Sequence, residues 1–312
     1  MIRILAIIAT RNEENYINYN LKHFIDQNID VFLIDNFSTD RTCEIAKKYL
    51  GKGLVGIEKI NFDGFFNFKK ILERKQSLAI ELDYDWFIHS DADEIHDASE
   101  KFTNLYEGIF DADRKGFNVI NFEEFVFIPK NNNESFEGKD YTKKMKTYYF
   151  YEPRKQNLNR AWKKNNFINL VSSGGHNIIL PEKKVYPINF ILRHYISLSY
   201  DYIVNKYVSG KRQHALNERL LGWGNDRYGY TKEDFNLDTK IKELKNYNFD
   251  KKFDRINPRH YHYWDHRVKK KYILSKLMKS SRRLVFLGLS KLFAEKENDF
   301  FYQKFLKIKW EF

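Results

Sequence analysis

Two carboxylates one residue apart, directly after an apolar run, are the side chains best placed for chemistry. They are Asp91 and Asp93 in Asp91-Ala92-Asp93-Glu94, preceded by Trp86-Phe87-Ile88. Such a run reads as a buried strand, and open α/β sheets place ligands at the carboxyl ends of strands. Asp91 and Asp93 are close enough to serve one hard divalent cation, which prefers oxygen ligands and leaves room for substrate phosphates. An isolated Asp-x-Asp would read as a solvated acidic turn; the strand before it favours function. Two more strand ends bring polar groups to the same expected edge. Asp35-Asn36 follows apolar residues 31–34, and its carboxylate either accepts hydrogen bonds from a ribose or base, or closes an Asx turn. Thr10-Arg11-Asn12-Glu13-Glu14 follows apolar residues 4–9. Arg11 can reach a phosphate there, helped by N–H groups of the next helix, or Asn12 can merely cap that helix.

These ends need a scaffold of alternating strands and helices. Residues 4–9, 31–34, 54–60 and 86–88 read as strands. Helical spacing appears over 15–25 and 68–82, and in a helix carrying Ile45, Ala46, Tyr49 and Leu50 with an N-cap offered by Ser38-Thr39-Asp40. The alternation predicts an α/β protein with right-handed crossovers and a mostly parallel sheet flanked by helices. After residue 115, strands are expected at 117–128, 147–151, 178–180 and 188–194. From about residue 201 the chain reads as mainly helical and increasingly basic. Gly51-Lys52-Gly53-Leu54-Val55-Gly56 matches the dinucleotide fingerprint, but it follows a helix and precedes a strand, so turn chemistry is expected.

Composition narrows the class. With 42% hydrophobic residues, 5 Pro and 14 Gly in 312 residues, collagen-like and disordered chains are excluded. The 54 Lys+Arg against 42 Asp+Glu give a net charge of +12, which calls for an anionic partner: nucleic acid, a phosphorylated small molecule or a membrane surface. A single cysteine, Cys43, excludes an intramolecular disulfide framework and fits a reducing cytoplasm. Residues 4–9 faintly imitate a signal peptide, but they are few and run into polar residues, so a first strand is expected. No apolar run approaches the ~20 residues of a membrane span.

The polar strand ends carry a resemblance to family 2-like glycosyltransferases of the GT-A fold. Asn12-Glu13 matches the pair after the first strand. Asp35-Asn36-Phe37-Ser38-Thr39-Asp40-Arg41-Thr42 matches the Asp-Asn-x-Ser-x-Asp-x-Thr segment, and residues 85–94 match the block ending Asp-Ala-Asp-Glu. The upstream Arg-Asn pair departs to Lys75-Gln76, with Arg74 as a neighbouring substitute. His194-Tyr195 and Ser199, then Lys206 and Gly210, match a later pattern. The resemblance covers about residues 1–215 and implies a nucleotide-sugar half over 1–115 and an acceptor half over 116–215, leaving 216–312 as a helical basic C-terminal region. It implies Mn²⁺ or Mg²⁺ held by Asp91, Asp93 and His194 against the diphosphate of a nucleotide-sugar donor. Thr10, Arg11, Asn12, Glu13, Asp35, Asn36, Arg74 and Gln76 are then the donor-binding set. An inverting transfer also needs a group to deprotonate the acceptor hydroxyl, and Glu123, Glu124, His176 and Asp226 are all eligible. The acceptor expected is a glycan or a lipid-linked glycan in surface glycan assembly.

The same residues admit other classes. A nucleic-acid-binding protein would account for the positive charge and many aromatics, but the carboxylates occupy the expected cleft edge. A non-catalytic glycan- or membrane-binding protein would account for the basic residues over 269–309, which also suit peripheral contact of a cytoplasmic enzyme with the inner membrane face. The alternation of His260, His262 and His266 with Tyr261, Tyr263 and Trp264 reads as aromatic packing ahead of a metal tract.

Overall fold

A computed structural model describes residues 1–62, 64, 66–153, 158–209, 218, 230–240, 244–250 and 252–265. Gly210, Asp226, His266 and the basic segment expected to touch a membrane lie outside the described residues. The chain divides into two compact units, Met1–Trp264 and Asp265–Phe312. The first carries the sheet and the candidate site.

Its first part is β1 (Ile4–Thr10), α1 (Ile17–Ile25), β2 (Asp30–Asp35), α2 (Thr42–Lys47), β3 (Leu54–Lys59), α3 (Phe68–Glu81) and β4 (Trp86–Asp91). The four strands are parallel, in the order β4-β1-β2-β3. Their apolar runs are explained by burial on both faces. Ile4, Ala6 and Ile8 of β1 join one core while Leu5 and Ile7 join the other. Trp86 and Ile88 of β4 divide from Phe87 in the same way. Ile17, Leu21 and Phe24 of α1 cover the first face, and Leu72, Leu78 and Ala79 of α3 cover the second. Register then fixes the chemistry: Ala9 lies opposite Asp91, and Thr10 opposite Asp35. The three polar strand ends are therefore level.

The second part is mixed. It adds β5 (Glu94–Asp97), α4 (Leu105–Arg114), β6 (Val119–Phe127), α5 (Tyr141–Lys144), β7 (Thr147–Tyr151), β8 (Leu158–Lys163), β9 (Phe190–His194) and α6 (Tyr200–Val204). β8 runs antiparallel to both β4 and β6, and β9 joins parallel β6 to antiparallel β5. Among the described residues the sheet has ten strands. Residues 178–180 do not form the expected strand; Ile179 makes only an isolated bridge to Asn169. Gly51 and Gly53 lie in the turn between α2 and β3, both with positive φ, and Leu54 to Gly56 begin β3 itself. No described helix is long and apolar enough to cross a membrane.

Helix continues only briefly after α6: a π-helical turn at Asn205–Ser209, a 3-10 turn at Lys232–Phe235, and α7 (Leu237–Lys240). The chain then returns to the sheet, where β10 (Lys245–Asn246) pairs with β7. Phe253 seals this return by stacking on Phe125 at 4.1 Å and on Tyr247 at 4.6 Å. Phe253→Ala should cost about 3–5 kcal/mol and lower the urea midpoint of the whole unit. An unchanged midpoint would show that residues 244–264 do not belong to its cooperative core.

Candidate active site

The loops after β1 and β2 are locked together by side-chain oxygens. Asn12 N–H donates to Ser38 Oγ at 3.0 Å, Glu13 N–H to Thr42 Oγ1 at 2.8 Å, and Glu14 N–H to Asp40 Oδ2 at 3.1 Å. In return Thr39 N–H donates to Asn12 Oδ1 at 2.8 Å. The N–H groups expected to meet a phosphate thus already hold the second loop. Asp40, one residue before the N-cap Arg41, accepts the N–H and hydroxyl of Thr42, the first residue of α2. Arg11 donates to the carbonyls of Asn36 and Phe37 at 2.6 Å, and its guanidinium lies 3.5 Å from the centre of the Phe62 ring. The Asp35 carboxylate is fully buried and accepts the Ser38 N–H, so the Asx-type turn is realised there. Phe37 completes it with φ of 60°. Asn36 donates to the carbonyls of Ile60 and Asn61. Beside them is a shallow cavity of about 440 Å³.

The centre of the site is Asp93. Its side chain is only 12% exposed and faces two cationic groups: Lys206 Nζ at 3.2 Å and His194 Nε2 at 3.7 Å. Burial alone would raise the Asp93 pKa, but Lys206 and His194 hold it well below the usual carboxylate range. On its other side His194 Nδ1 bonds Glu124 Oε1 at 2.7 Å. Burial opposes charge on this imidazole as well, and the Asp93 and Glu124 carboxylates outweigh it, raising its pKa well above the usual value. β5 and β9 create this arrangement by placing Glu94 opposite His194, while β9 sets Val126 of β6 opposite His194. Lys206 also reaches Glu13 Oε1 at 3.7 Å, and Tyr202 donates to Glu13 Oε2 at 3.2 Å.

A second, deeper layer supports Asp91. Lys75, fully buried, donates to the Ser90 carbonyl at 2.8 Å and lies 3.8 Å from Asp91 Oδ1. Burial brings its pKa down to about 8, against the pull of Asp91. Glu94 accepts from the Asp91 N–H at 3.0 Å and from Arg160 Nη2 at 2.5 Å. Arg160 also donates to the carbonyl of Gly175, which has φ of +78°. A Cβ at Gly175 would stand 3.1 Å from the His89 ring, so glycine lets the 174–175 loop close over β4.

The sequence-derived residues separate into groups. Glu13, Asp93, Glu124 and His194 come together around Lys206, with Asp91 at the end of β4 and Thr10 at the end of β1 opposite Asp35. Arg74 turns instead to Glu58 and Glu81, at 2.9 Å from each, on the rim of the cavity beside Asn61. Gln76 accepts the N–H groups of Leu170 and Val171, and so shapes the loop before His176. His176 is exposed, with its carbonyl accepting the Asn159 N–H. Glu123 points to Arg255 at 2.7 Å. His262 stacks between Tyr151 and Trp264 at 4.1 and 4.5 Å, the packing role expected. Arg160 carried no signal in the sequence, and Lys206 stood there only as a match to the later family pattern, with no role assigned. For Lys75 a signal existed, since it shares the buried stripe of Ile71, Leu72, Leu78 and Ala79 on α3.

Asp93 already holds cationic groups, and the Glu124 contact turns His194 Nε2 toward it. That donor set fits a divalent cation. The carboxylate–imidazole pair is a familiar way to aim a metal-binding nitrogen, although the cation would have to replace the Nε2 proton. Among the described residues no three His, Cys, Asp or Glu side chains already converge as a cage. A hard cation sharing phosphate and water ligands requires no such cage.

The structure thus places an acidic, cation-holding cleft at the carboxyl edge of an α/β sheet. The model of the family described as glycosyl transferase family 2 matches residues 5–169, more than half of the chain, and the chain belongs to that family. No curated protein matches it. Among solved structures it is similar to S. aureus TarS 1-349, at 14% identity over 62% of this chain and 60% of that one, with a TM-score of 0.41. It is also similar to glucosyl-3-phosphoglycerate synthase from Mycobacterium tuberculosis, solved with Mn²⁺, UDP and glucosyl-3-phosphoglycerate. There the identity is 16% over 40% of this chain and 44% of that one, with a TM-score of 0.26. The chain thus spans less than two thirds of either structure.

Arg160 tests the deeper layer. Arg160→Met should leave Glu94 buried without its cationic partner and cost about 3–5 kcal/mol. Guanidinium unfolding at pH 7 measures it, and an unchanged midpoint would contradict the pairing.

Proposed function

We propose that the protein transfers a sugar from a nucleoside-diphosphate sugar to a hydroxyl of a glycan or lipid-linked acceptor, with Mn²⁺ or Mg²⁺ at Asp91, Asp93 and His194. The observation that carries this reading is the buried Asp93 carboxylate, neutralised by cationic groups at a strand end in a family 2 chain. The cation, when bound, stabilises the charge that grows on the departing diphosphate.

The chain's own residues divide the remaining work. Glu124 orients His194, which removes Glu124 from the candidates for a general base. Glu123 is engaged by Arg255, and Asp226 lies outside the described residues. His176, exposed beside the Gly174-Gly175 turn, is the described group left to take the acceptor proton. Asp35 fixes the turn at which the nucleoside sits, and the cavity beside Asn61, with Arg74 on its rim, receives the nucleoside end. Thr10, Arg11, Asn12 and Glu13 hold the floor between nucleoside and diphosphate. The net charge of +12 suits an anionic acceptor in surface glycan assembly, and the basic C-terminal segment suits peripheral contact with a membrane bearing it.

Asp93→Asn should abolish Mn²⁺-dependent binding of UDP, GDP or CDP while the protein remains folded. Calorimetry with all three nucleotides measures it, and undiminished metal-linked affinity in a folded variant would remove Asp93 from the site. His176→Gln should lower kcat by about 10²–10⁴-fold with donor affinity retained, the usual range for a lost acid–base group. Steady-state assays over a nucleotide-sugar panel test this, and an unchanged kcat would exclude His176 as the base.

A further inference from the structure

Lys206 is a buried cation in the place where a metal would bind. It stands on the π-helical turn Asn205–Ser209, and its side chain is 10% exposed. Its ammonium is 3.2 Å from Asp93 and 3.7 Å from Glu13. The rings of Tyr16 and Tyr202 lie with their centres 5.9 and 5.6 Å from the nitrogen. π-helical turns are rare and often mark functional positions.

Lys206 and His194 both face Asp93 Oδ2, and a divalent cation beside that oxygen would meet the ammonium at a separation where two cations repel strongly in a partly desolvated site. Metal arriving alone must therefore displace the ammonium from Asp93 and leave it with Glu13 alone, at 3.7 Å. A nucleoside diphosphate changes this balance, because it supplies an anion that can take the ammonium from Asp93.

We propose that Lys206 couples donor and metal binding: its ammonium holds Asp93 in the empty site, passes to the incoming diphosphate, and so frees Asp93 for the divalent cation. The proposal rests on the glycosyltransferase reading of this site. It adds that metal alone binds weakly and that nucleotide and metal bind cooperatively. Lys206 then remains beside the diphosphate as a second positive charge, a positioning group for the leaving half of the donor.

The test is titration of the full chain with Mn²⁺, followed by electron paramagnetic resonance of free Mn²⁺, with and without saturating UDP, GDP or CDP. Wild type should bind Mn²⁺ more tightly with the correct nucleotide, by roughly 5–150-fold, the usual size of coupling between linked sites. In Lys206→Met, Mn²⁺ alone should bind more tightly than in wild type, and the nucleotide-linked gain should shrink toward one. Lys206→Arg should keep the coupling. Lys206→Gln, which retains a donor for Asp93, gives the same reading if the methionine variant does not fold. A folded neutral variant with wild-type Mn²⁺ affinity and wild-type coupling would overturn the proposal alone. Nucleotide binding by wild type with no dependence on Mn²⁺ would overturn the metal reading and the proposal with it.

Discussion

A carboxylate that must stay charged while shielded from water constrains everything around it. Asp93 sits at the mouth of a sheet whose strands are buried on both faces, and only neighbouring positive charge makes its ionised form tolerable there. Lys206 and His194 supply that charge. Glu124 and Glu13 in turn accept those cations, and Arg160 and Lys75 balance Glu94 and Asp91 one layer below. The site is thus an alternating lattice of acids and bases. Seven separate stretches of chain, from Glu13 to Lys206, contribute to it, so it exists only when the mixed half of the sheet is folded onto the parallel half.

The parallel half offers a different constraint. Its β1 and β2 loops exchange hydrogen bonds through Asn12, Ser38, Thr39, Asp40 and Thr42, leaving the two strand ends fixed to each other. This explains why so many small polar residues follow Asp35: they serve as acceptors for N–H groups of the loop between β1 and α1. Rigid loops at the donor end and a charge lattice at the reacting end suit a site that must hold a flexible diphosphate in one geometry.

The parallel half was legible in the sequence because its strands are continuous apolar runs and its helices carry clear stripes. Asp91 and Asp93 were legible for the same reason, since β4 announces its own end. β5 was not: Glu94-Ile95-His96-Asp97 reads as an acidic turn, and only pairing with β9 makes it a strand. β8 was hidden because Asn159 and Arg160 are buried polar residues with partners distant in sequence. Glu124 looked like a free base, and its contact with His194 depends on β6–β9 pairing that no local pattern encodes. Arg74 looked like the better donor contact than Lys75, yet helical phase buries Lys75 beneath Asp91 and sends Arg74 to Glu58. Long-range ion pairs are what local sequence reading lacks.

The most direct measurement of the central claim is anomalous scattering at the manganese edge from crystals grown with Mn²⁺ and the nucleoside diphosphate that the protein binds. The charge lattice predicts one strong peak bonded to Asp93 and His194 Nε2, with Lys206 Nζ moved from Asp93 onto a diphosphate oxygen. A diphosphate seated at the strand ends with no manganese beside Asp93, and Lys206 still paired to that carboxylate, would contradict it.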